Sequence, residues 1–316
     1  MKSVRVALLL WAGSACVVAA GPLPRLVRTV QIPRDFTNQA FPRFSNGFVL
    51  AYDFDRAIVR SYDRTGRALM EVPLSIPDGA GIRVSDTAAL PDGTIAVKAS
   101  ATADRGRAVG VIFWISPQGK VMRIVRTAQF GARRVAFAAD GTLWAAGRVY
   151  DYAYNSLPEY DVLRQYDAQG RLVRTVLPRS TFAAGLREPS SDSFLLTAKD
   201  RIGFFSLTSN QYVELSLSGD VLGNWKVAPP ADVDIAGAAL TASGRVFLSG
   251  QWRRKMDDPR EWELLLYELD KRSGALRRID FPQTGVHRAT VLVGSEGEEL
   301  VFESKPPASI SWFALQ

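Results

Sequence analysis

Histidine and cysteine are almost absent from this sequence of 316 residues, which contains one of each. With Cys16 as its single cysteine, the chain cannot form an internal disulfide bond, so its stability must come from a large apolar core. A zinc site needs several His or Cys ligands, which this sequence does not have. A serine triad would have to use His287, and no Gly-x-Ser-x-Gly motif marks a nucleophile. We therefore predict no metal site and no cofactor.

Long hydrophobic runs are also absent beyond the N-terminus, which excludes a transmembrane segment in the rest of the chain. At the N-terminus, Lys2 and Arg5 precede a short apolar run that begins at Val6. Val18–Ala20 then provides the small residues that a signal peptidase requires. We therefore predict a signal peptide over residues 1–20 and a mature, exported protein over residues 21–316. Its predicted location is periplasmic or extracellular.

A lipid anchor at Cys16 is the alternative to a freely soluble product. Ser14 and Ala15 fit the two positions before a lipid-modified cysteine, although Gly13 stands where a leucine is usual. This alternative predicts an exported protein that is tethered to a membrane surface through its N-terminus.

Charge of one sign is not concentrated in any part of the chain. The formal net charge is +7, with 39 basic residues against 32 acidic ones. The absence of a long Lys/Arg cluster argues against nucleic-acid binding, and an exported protein rarely meets nucleic acid. The small basic excess favours an anionic partner, such as an envelope polysaccharide, over a cationic one.

Short apolar runs separated by glycine-containing turns make up most of the sequence, a pattern typical of β-strands. Two kinds of turn alternate. One is a tight hairpin, in which Asn-Gly or Asp-Gly adopts positive φ at little steric cost, and the other follows an aromatic or aliphatic strand. The tight hairpins lie at residues 45–47, 91–93, 139–141, 242–244 and 296–297, and the second kind at residues 62–66, 115–119, 166–170, 217–219 and 270–274.

Each kind of turn recurs about every fifty residues, a period typical of repeat proteins. Two hairpins per period make a four-stranded antiparallel sheet, which is the blade of a β-propeller. The predicted fold class is therefore all-β, a six-bladed β-propeller. The blades are predicted near residues 36–77, 82–128, 131–178, 186–229 and 233–283, with the sixth at 286–316 plus 22–33.

A repeated phrase predicts how the ring closes. Arg-Leu-Val-Arg-Thr-Val occurs at Arg25–Val30 and again at Arg171–Val176. The second copy closes a hairpin, whereas the first copy has no hairpin before it. The C-terminal segment Ile310–Leu315 is an apolar strand that lacks a neighbour. We therefore predict that the N-terminal strand pairs with the C-terminal strand.

In blades one and three the phrase Tyr-Asp-x-x-Gly-Arg joins the third strand to the fourth, at residues 62–67 and 166–171. Together with the period, this phrase resembles the six-bladed propellers of the NHL-repeat type. The resemblance implies the fold over almost the whole mature chain. Because the shared motifs are structural turns, it implies no particular activity.

Long connections are expected on only one face of such a ring, at residues 99–107, 149–160 and 251–262. The short glycine turns open on the opposite face, here called the turn face. The loop face carries the links between second and third strands and between blades, and loops on a rigid scaffold commonly carry binding sites. Its aromatic residues either stack on a ligand or fold back over the sheet edge. The candidates for ligand contact among them are Tyr150, Tyr152, Trp252 and Trp262.

Charged residues near the start of the innermost strands are expected to line the mouth of the central channel on the loop face. Arginine forks and carboxylates in this arrangement can bind an anionic or polyhydroxylated ligand. Because opposite charges alternate around the ring, a set of mutual salt bridges is the alternative. The charged residues include Asp86, Arg133, Arg134, Arg187, Asp234 and Arg288.

These features favour a non-catalytic binding or scaffold module that recognises an envelope protein or glycan through the loop face. The alternative is a hydrolase or lyase acting on a small anionic metabolite at the channel mouth, with His287 beside Asp86 or Asp234. Propeller lactonases of the gluconolactonase kind hold a divalent cation with an acid from the first blade, and Asn38–Phe44 contains none. Two carboxylates are too few for calcium, which takes six or more oxygen ligands.

Overall fold

The computed structural model of the chain describes residues 23–32, 43–53, 56–77, 79–103, 108–151, 155–182, 189–190, 192–252, 264–281, 290–304 and 309–315. The predicted signal peptide, together with Cys16, lies outside the described residues. So do five of the candidate site residues, Tyr152, Arg187, Trp262, His287 and Arg288.

Within these residues, 24 strands form six four-stranded antiparallel sheets, which are the six blades. The innermost strands β2, β6, β10, β14, β18 and β22 contact one another in cyclic order around a central channel. The predicted six-bladed β-propeller is therefore confirmed. No helix in the described part of the chain is long and apolar enough to cross a membrane.

Blade one contains β2 (Arg43–Ser45), β3 (Phe48–Asp53), β4 (Ile58–Tyr62) and β5 (Ala68–Pro73). Blade two contains β6 (Gly79–Ala89), β7 (Ile95–Ala103), β8 (Ala108–Ile115) and β9 (Val121–Arg126). Blade three contains β10 (Phe130–Phe137), β11 (Leu143–Val149), β12 (Asp161–Tyr166) and β13 (Leu172–Pro178). Blade four contains β14 (Ser193–Thr197), β15 (Arg201–Ser206), β16 (Gln211–Ser216) and β17 (Val221–Lys226). Blade five contains β18 (Val233–Leu240), β19 (Val246–Trp252), β20 (Leu265–Leu269) and β21 (Leu276–Ile279), and blade six contains β22 (Val291–Glu296), β23 (Glu299–Ser304), β24 (Ser309–Ala314) and β1 (Arg25–Gln31).

The ring is closed by the pairing of its two ends. Strand β1 runs antiparallel to β24, with Arg28 opposite Trp312 and Thr29 opposite Ser311. The Arg28 guanidinium lies 4.0 Å from the centre of the buried Trp312 ring. The hydroxyl oxygens of Thr29 and Ser311 are 2.9 Å apart. The predicted pairing of the N-terminal and C-terminal strands is confirmed.

Large aromatic side chains fill the space between adjacent blades. Trp114, Trp144, Tyr166 and Trp312 are all buried. One core cluster combines Trp114 of blade two with Phe130 of blade three. Burial of such rings removes much apolar surface from water, so the contacts between blades carry a large share of the stability.

Local hydrogen bonds explain why the Tyr-Asp-x-x-Gly-Arg phrase forms a turn. Asp63 Oδ1 accepts hydrogen bonds from the backbone N–H groups of Thr65 and Arg67, at 2.8 and 3.1 Å. Gly66 has a φ of 82°, which residues with a Cβ rarely adopt. Asp167 accepts the equivalent bonds in blade three. The repeated phrase is therefore a self-contained turn that needs no distant partner.

The connection predicted at residues 99–107 is shorter than expected. Strand β7 continues to Ala103, and its pairing with β8 extends to Thr102 opposite Ala108. The prediction was wrong for this part of the connection because polar and small residues weaken a strand pattern without preventing backbone pairing. The longer β7–β8 hairpin forms one side of a pocket between blades two and three.

Candidate functional site

Asp86 joins three blades on the inner side of the ring. It lies in β6 of blade two, and its side chain is almost fully buried. Its Oδ2 accepts a hydrogen bond from the Val135 N–H of blade three at 2.8 Å, and its Oδ1 lies 3.0 Å from Arg43 Nε of blade one. Both carboxylate oxygens therefore hold neighbouring blades together.

Arg134 makes the next link around the ring. Its Nε donates a hydrogen bond to the Ser193 carbonyl oxygen of blade four at 2.7 Å. The channel cavity beside Asp86 and Arg134 has a volume of only about 100 Å³. Ligand pockets usually measure about 300–1,000 Å³. Asp86 forms an ion pair with Arg43, whereas Arg134 bonds to a backbone carbonyl oxygen, and ligand binding by either residue stays a prediction.

A larger pocket, which we call the inter-blade pocket, opens on the loop face between blades two and three. Its volume is about 730 Å³. It is formed by the loop-face ends of β7 and β8, the link from blade two to blade three, the start of β10, and the residues after β11. Small and aliphatic residues line much of it. The side chains that carry polar groups are Lys98, Ser100, Gln129, Arg133, Tyr150 and Asp151.

Tyr150 forms one wall of the inter-blade pocket. Its N–H donates a hydrogen bond to the Gln129 carbonyl oxygen at 3.0 Å, and its ring lies 4.5 Å from the Arg148 guanidinium. Arg148 Nε also bonds to the tyrosine hydroxyl. A Cβ at Gly131 would lie only 2.5 Å from Tyr150 Cε2, so glycine allows the ring to pack directly against β10. The predicted role of Tyr150 as a ligand contact is compatible with this position and stays a prediction.

Lys98 determines the electrostatics of the inter-blade pocket. On β7, Val97 and Ala99 face the core between blades one and two, whereas Lys98 points towards blade three. Lys98 is only 8% exposed, and its ammonium group has no hydrogen bond or ion pair among the described residues. Burial lowers the pKa of Lys98 to about 8, and the charge of Arg133 acts in the same direction.

The remaining polar groups of the pocket have different chemistry. Arg133 is exposed and has no ion-pair partner within the described ranges. The Asp151 carboxylate accepts hydrogen bonds from the backbone N–H and the side-chain amide of Asn155, at 2.8 and 3.1 Å. Together, Gln129, Arg133 and Asp151 can bind an anionic group and several hydroxyl groups of one ligand.

Two other predicted residues lie on blade five, away from this pocket. Trp252 ends β19 and packs partly buried against a cluster that contains Val233 and Leu265. This packing corresponds to the alternative in which the ring covers the sheet edge. Asp234 is exposed on β18, opposite Gln251. The structure thus brings together Tyr150 and residues of blades two and three, but not Trp252 or Asp234.

Sequence patterns did not identify Lys98 as a site residue. The available signal was a lysine in the middle of β7, whose other residues are small or apolar. A charged residue in such a strand indicates either a salt bridge or a ligand. Choosing between them requires knowing which residues of the neighbouring blade lie beside Lys98, and those residues are distant from it in the sequence. In the described part of the chain, no group of three or more His, Cys, Asp or Glu residues could hold a metal ion.

No protein-family model matches the sequence, and a search of curated proteins finds no match. Among solved structures, the chain is similar to a protein from Bacteroides fragilis described as exported, with a TM-score of 0.55 and 10% identity over 93% of this chain and 96% of that chain. It is also similar to a member of the DUF4221 family from Bacteroides vulgatus, with a TM-score of 0.54 and 10% identity over 93% and 98% of the two chains. A luciferin-regenerating enzyme has a TM-score of 0.51 and 9% identity over 92% and 95%. At these identities the similarity shows the fold alone.

Proposed function

We propose that this chain is an exported, non-catalytic binding module of the cell envelope, which recognises a glycan through the inter-blade pocket. The observation that carries the proposal is a pocket of about 730 Å³ on the loop face, with Tyr150 in its wall. Tyrosine combines an apolar ring with a polar end, and it is common where a protein contacts a sugar or a partner.

The dimensions of the pocket favour a glycan over the alternative partner, an envelope protein. A cavity of this volume falls within the range of about 300–1,000 Å³ that is typical of small-ligand sites. A stable protein–protein interface instead buries roughly 800 Å² on each partner, an extended surface and not one cavity of this size. The polar groups of Ser100, Gln129 and Asp151 supply donors and acceptors for sugar hydroxyl groups.

The catalytic alternative, His287 acting with Asp86 or Asp234, receives less support. General acid–base catalysis needs a carboxylate or imidazole within hydrogen-bond reach of the substrate. Both oxygens of Asp86 already contact neighbouring blades, and the channel beside them measures about 100 Å³. Asp234 is exposed on a different blade from Asp86.

Export is supported by residues 1–20, whose pattern is typical of a signal peptide. The similar protein from Bacteroides fragilis, which is described as exported, agrees with this location. The periplasm and the cell exterior both fit. A lipid at Cys16 remains the alternative to a soluble product, and labelling with palmitate in Cys16 and Cys16→Ser chains would distinguish the two.

The experiment that tests the proposal is retention of envelope glycans by the protein expressed from its full-length sequence. Tyr150→Ala is expected to reduce retention about tenfold, equivalent to about 1.4 kcal/mol, because the ring forms a wall of the pocket. Phe48→Ala is the matched control, since Phe48 is a partly buried aromatic residue beside a turn-face hairpin. Thermal unfolding of both variants establishes that they are folded.

Three results would contradict the proposal. The first is retention of no envelope glycan by the wild-type protein. The second is equal loss in Tyr150→Ala and Phe48→Ala, which would assign the effect to stability. The third is capture of an envelope protein that Tyr150→Ala leaves unchanged, since that would place recognition outside the inter-blade pocket.

A further inference from the structure

The inter-blade pocket contains positive charge that the described residues around it do not balance. The carboxylate that acts on Lys98 is Asp86, whose two oxygens already contact blades one and three. Arg133 and Arg134 add two further positive charges close to the ammonium group. The described lining carries two cations, Lys98 and Arg133, and one carboxylate, that of Asp151.

A buried ammonium group without a partner is unfavourable, because leaving water penalises the charged form. Lysine is rarely so deeply buried unless it is paired. Lys98 is 8% exposed, yet it lines a cavity and not a closed core. Packing therefore does not explain a lysine at this position, where an aliphatic residue would suit the strand better. The missing compensation is an anionic group that enters the pocket from outside.

We infer that the inter-blade pocket binds an acidic sugar, with the sugar carboxylate between Lys98 and Arg133. The inference rests on the proposed function and specifies its ligand. A carboxylate held by two cations forms charge-assisted hydrogen bonds, which are stronger than neutral ones. Ser100 and Gln129 hydrogen-bond the ring hydroxyl groups, and Tyr150 packs against the apolar face of the sugar.

Asp151 favours a carboxylate over a phosphate as the anionic group. Its own negative charge lies on the pocket lining. Lys98 and Arg133 against Asp151 leave the described lining with one net positive charge, which a single carboxylate neutralises, whereas a phosphate monoester carries about −1.5 to −2 near neutral pH and exceeds it. An acidic sugar brings one charge together with several hydroxyl groups, for which Asp151 is an acceptor. The lining therefore fits a ligand of low charge with many hydroxyl groups.

Calorimetry with paired ligands tests this inference directly. The probes are oligosaccharides of galacturonate, glucuronate and mannuronate, the methyl ester of each, the neutral parent sugars and the corresponding sugar phosphates. Wild-type protein is expected to bind at least one acidic sugar about tenfold more tightly than its methyl ester, since the ester removes charge and keeps the shape. Lys98→Met is expected to lose this preference, and Lys226→Met, at an exposed lysine of blade four, is the control.

The pH dependence of the affinity provides a second readout. Because burial lowers the pKa of Lys98 to about 8, affinity for the acidic sugar is expected to fall as the pH rises through about 8. The charged groups that act on Lys98 are Asp86, Arg133 and Arg134, and Tyr150 and Asp151 share its pocket lining. Lys98→Arg is expected to retain binding and to lose the pH dependence, because guanidinium stays charged.

The outcomes separate failure of this inference from failure of the proposed function. Equal affinity for an acidic sugar and its methyl ester, or equal loss in Lys98→Met and Lys226→Met, would overturn the inference and leave glycan binding intact. Tighter binding of a sugar phosphate than of the acidic sugar would overturn the assignment of a carboxylate as the anionic group. Binding of none of these sugars by wild-type protein that still retains envelope glycans would overturn the inference alone, and loss of both would also overturn the proposed function. Should Lys98→Met fail to fold, Lys98→Arg and its pH profile decide the matter.

Discussion

In the Lys98 side chain, burial and charge oppose each other. Strand β7 places the ammonium group against blade three, where it has little contact with water and no hydrogen bond or ion pair among the described residues. A residue kept in such a position reduces the stability of the unliganded protein. Residues of this kind are common at binding sites, where function and stability make different demands on one position.

We predict that Lys98→Met stabilises the unliganded protein. Methionine has a similar length and no charge, so its burial carries no comparable penalty, and the gain should be on the order of 1–3 kcal/mol near neutral pH. The pKa of Lys98 is lowered from 10.5 to about 8, which means that the unfolded chain binds the proton more tightly. Wild-type stability should therefore rise with pH between about 8 and 10.5, and Lys98→Met should lack this rise.

Urea unfolding at several pH values measures both effects. The control is Lys226→Met, which replaces an exposed lysine and should change the free energy of unfolding little. A loss of stability in Lys98→Met would mean that the ammonium group has a structural role, and the inference of an anionic ligand would lose its main support.

Between elements, the blades are joined by polar contacts as well as by the aromatic core. Glu214 in β16 of blade four is an example. Its carboxylate accepts hydrogen bonds from Arg201 Nη1 at 2.7 Å and from Lys271 Nζ at 2.5 Å. Lys271 belongs to the turn after β20, so this contact joins blade four to blade five. The side chain of Glu214 is only 2% exposed, which strengthens its interaction with both cations.

We predict that Glu214→Gln lowers the free energy of unfolding by roughly 2–3 kcal/mol. Removing the buried carboxylate charge leaves two cations close together, and such losses usually amount to about 3–5 kcal/mol. The smaller value is expected because Arg201 and Lys271 keep partial contact with water. Glu71→Gln is the matched control, since Glu71 pairs with Arg60 but is 52% exposed. Equal effects in urea unfolding would show that the buried position of Glu214 is unimportant.

At the scale of the whole molecule, stability depends on closing the ring. Strands β1 and β24 are separated by nearly the entire chain, and Thr29 and Ser311 are 282 positions apart. Forming this pairing therefore costs chain entropy that only the completed ring of blade contacts offsets.

We predict that a disulfide between Thr29→Cys and Ser311→Cys, in a Cys16→Ser background, forms on oxidation and raises stability by about 2–4 kcal/mol. The two positions are directly paired, and their hydroxyl oxygens are 2.9 Å apart. Urea unfolding with and without reductant measures the gain, and the reduced protein is its own control. Failure of the two cysteines to crosslink would contradict the register of this closure.

The fold was predictable because its determinants are local. Asp63 and Gly66 build a turn from hydrogen bonds and a positive φ within a few residues, and the same chemistry recurs in blade three. Spacing between such turns sets strand length and blade number. The closure joins strands at opposite ends of the chain. It was predictable because a repeated phrase showed which strand needed a partner. The wrong assignment of residues 99–103 reflects the weak strand preference of small and polar side chains.

The candidate site was only partly predictable. Tyr150 was identified because aromatic residues in a long connection are informative in sequence. Arg133 and Arg134 were predicted at the channel mouth from their place at the start of a strand, whereas Arg133 lies on the inter-blade pocket. Lys98 was not identified, since its burial and its lack of an ion pair among the described residues are properties of its surroundings. The sequence by itself determined the strands, the turns and the number of blades, because these depend on neighbours a few residues apart. Only the tertiary structure decided that Lys98 and Tyr150 share one pocket, because that pocket forms between two blades when their faces pack together.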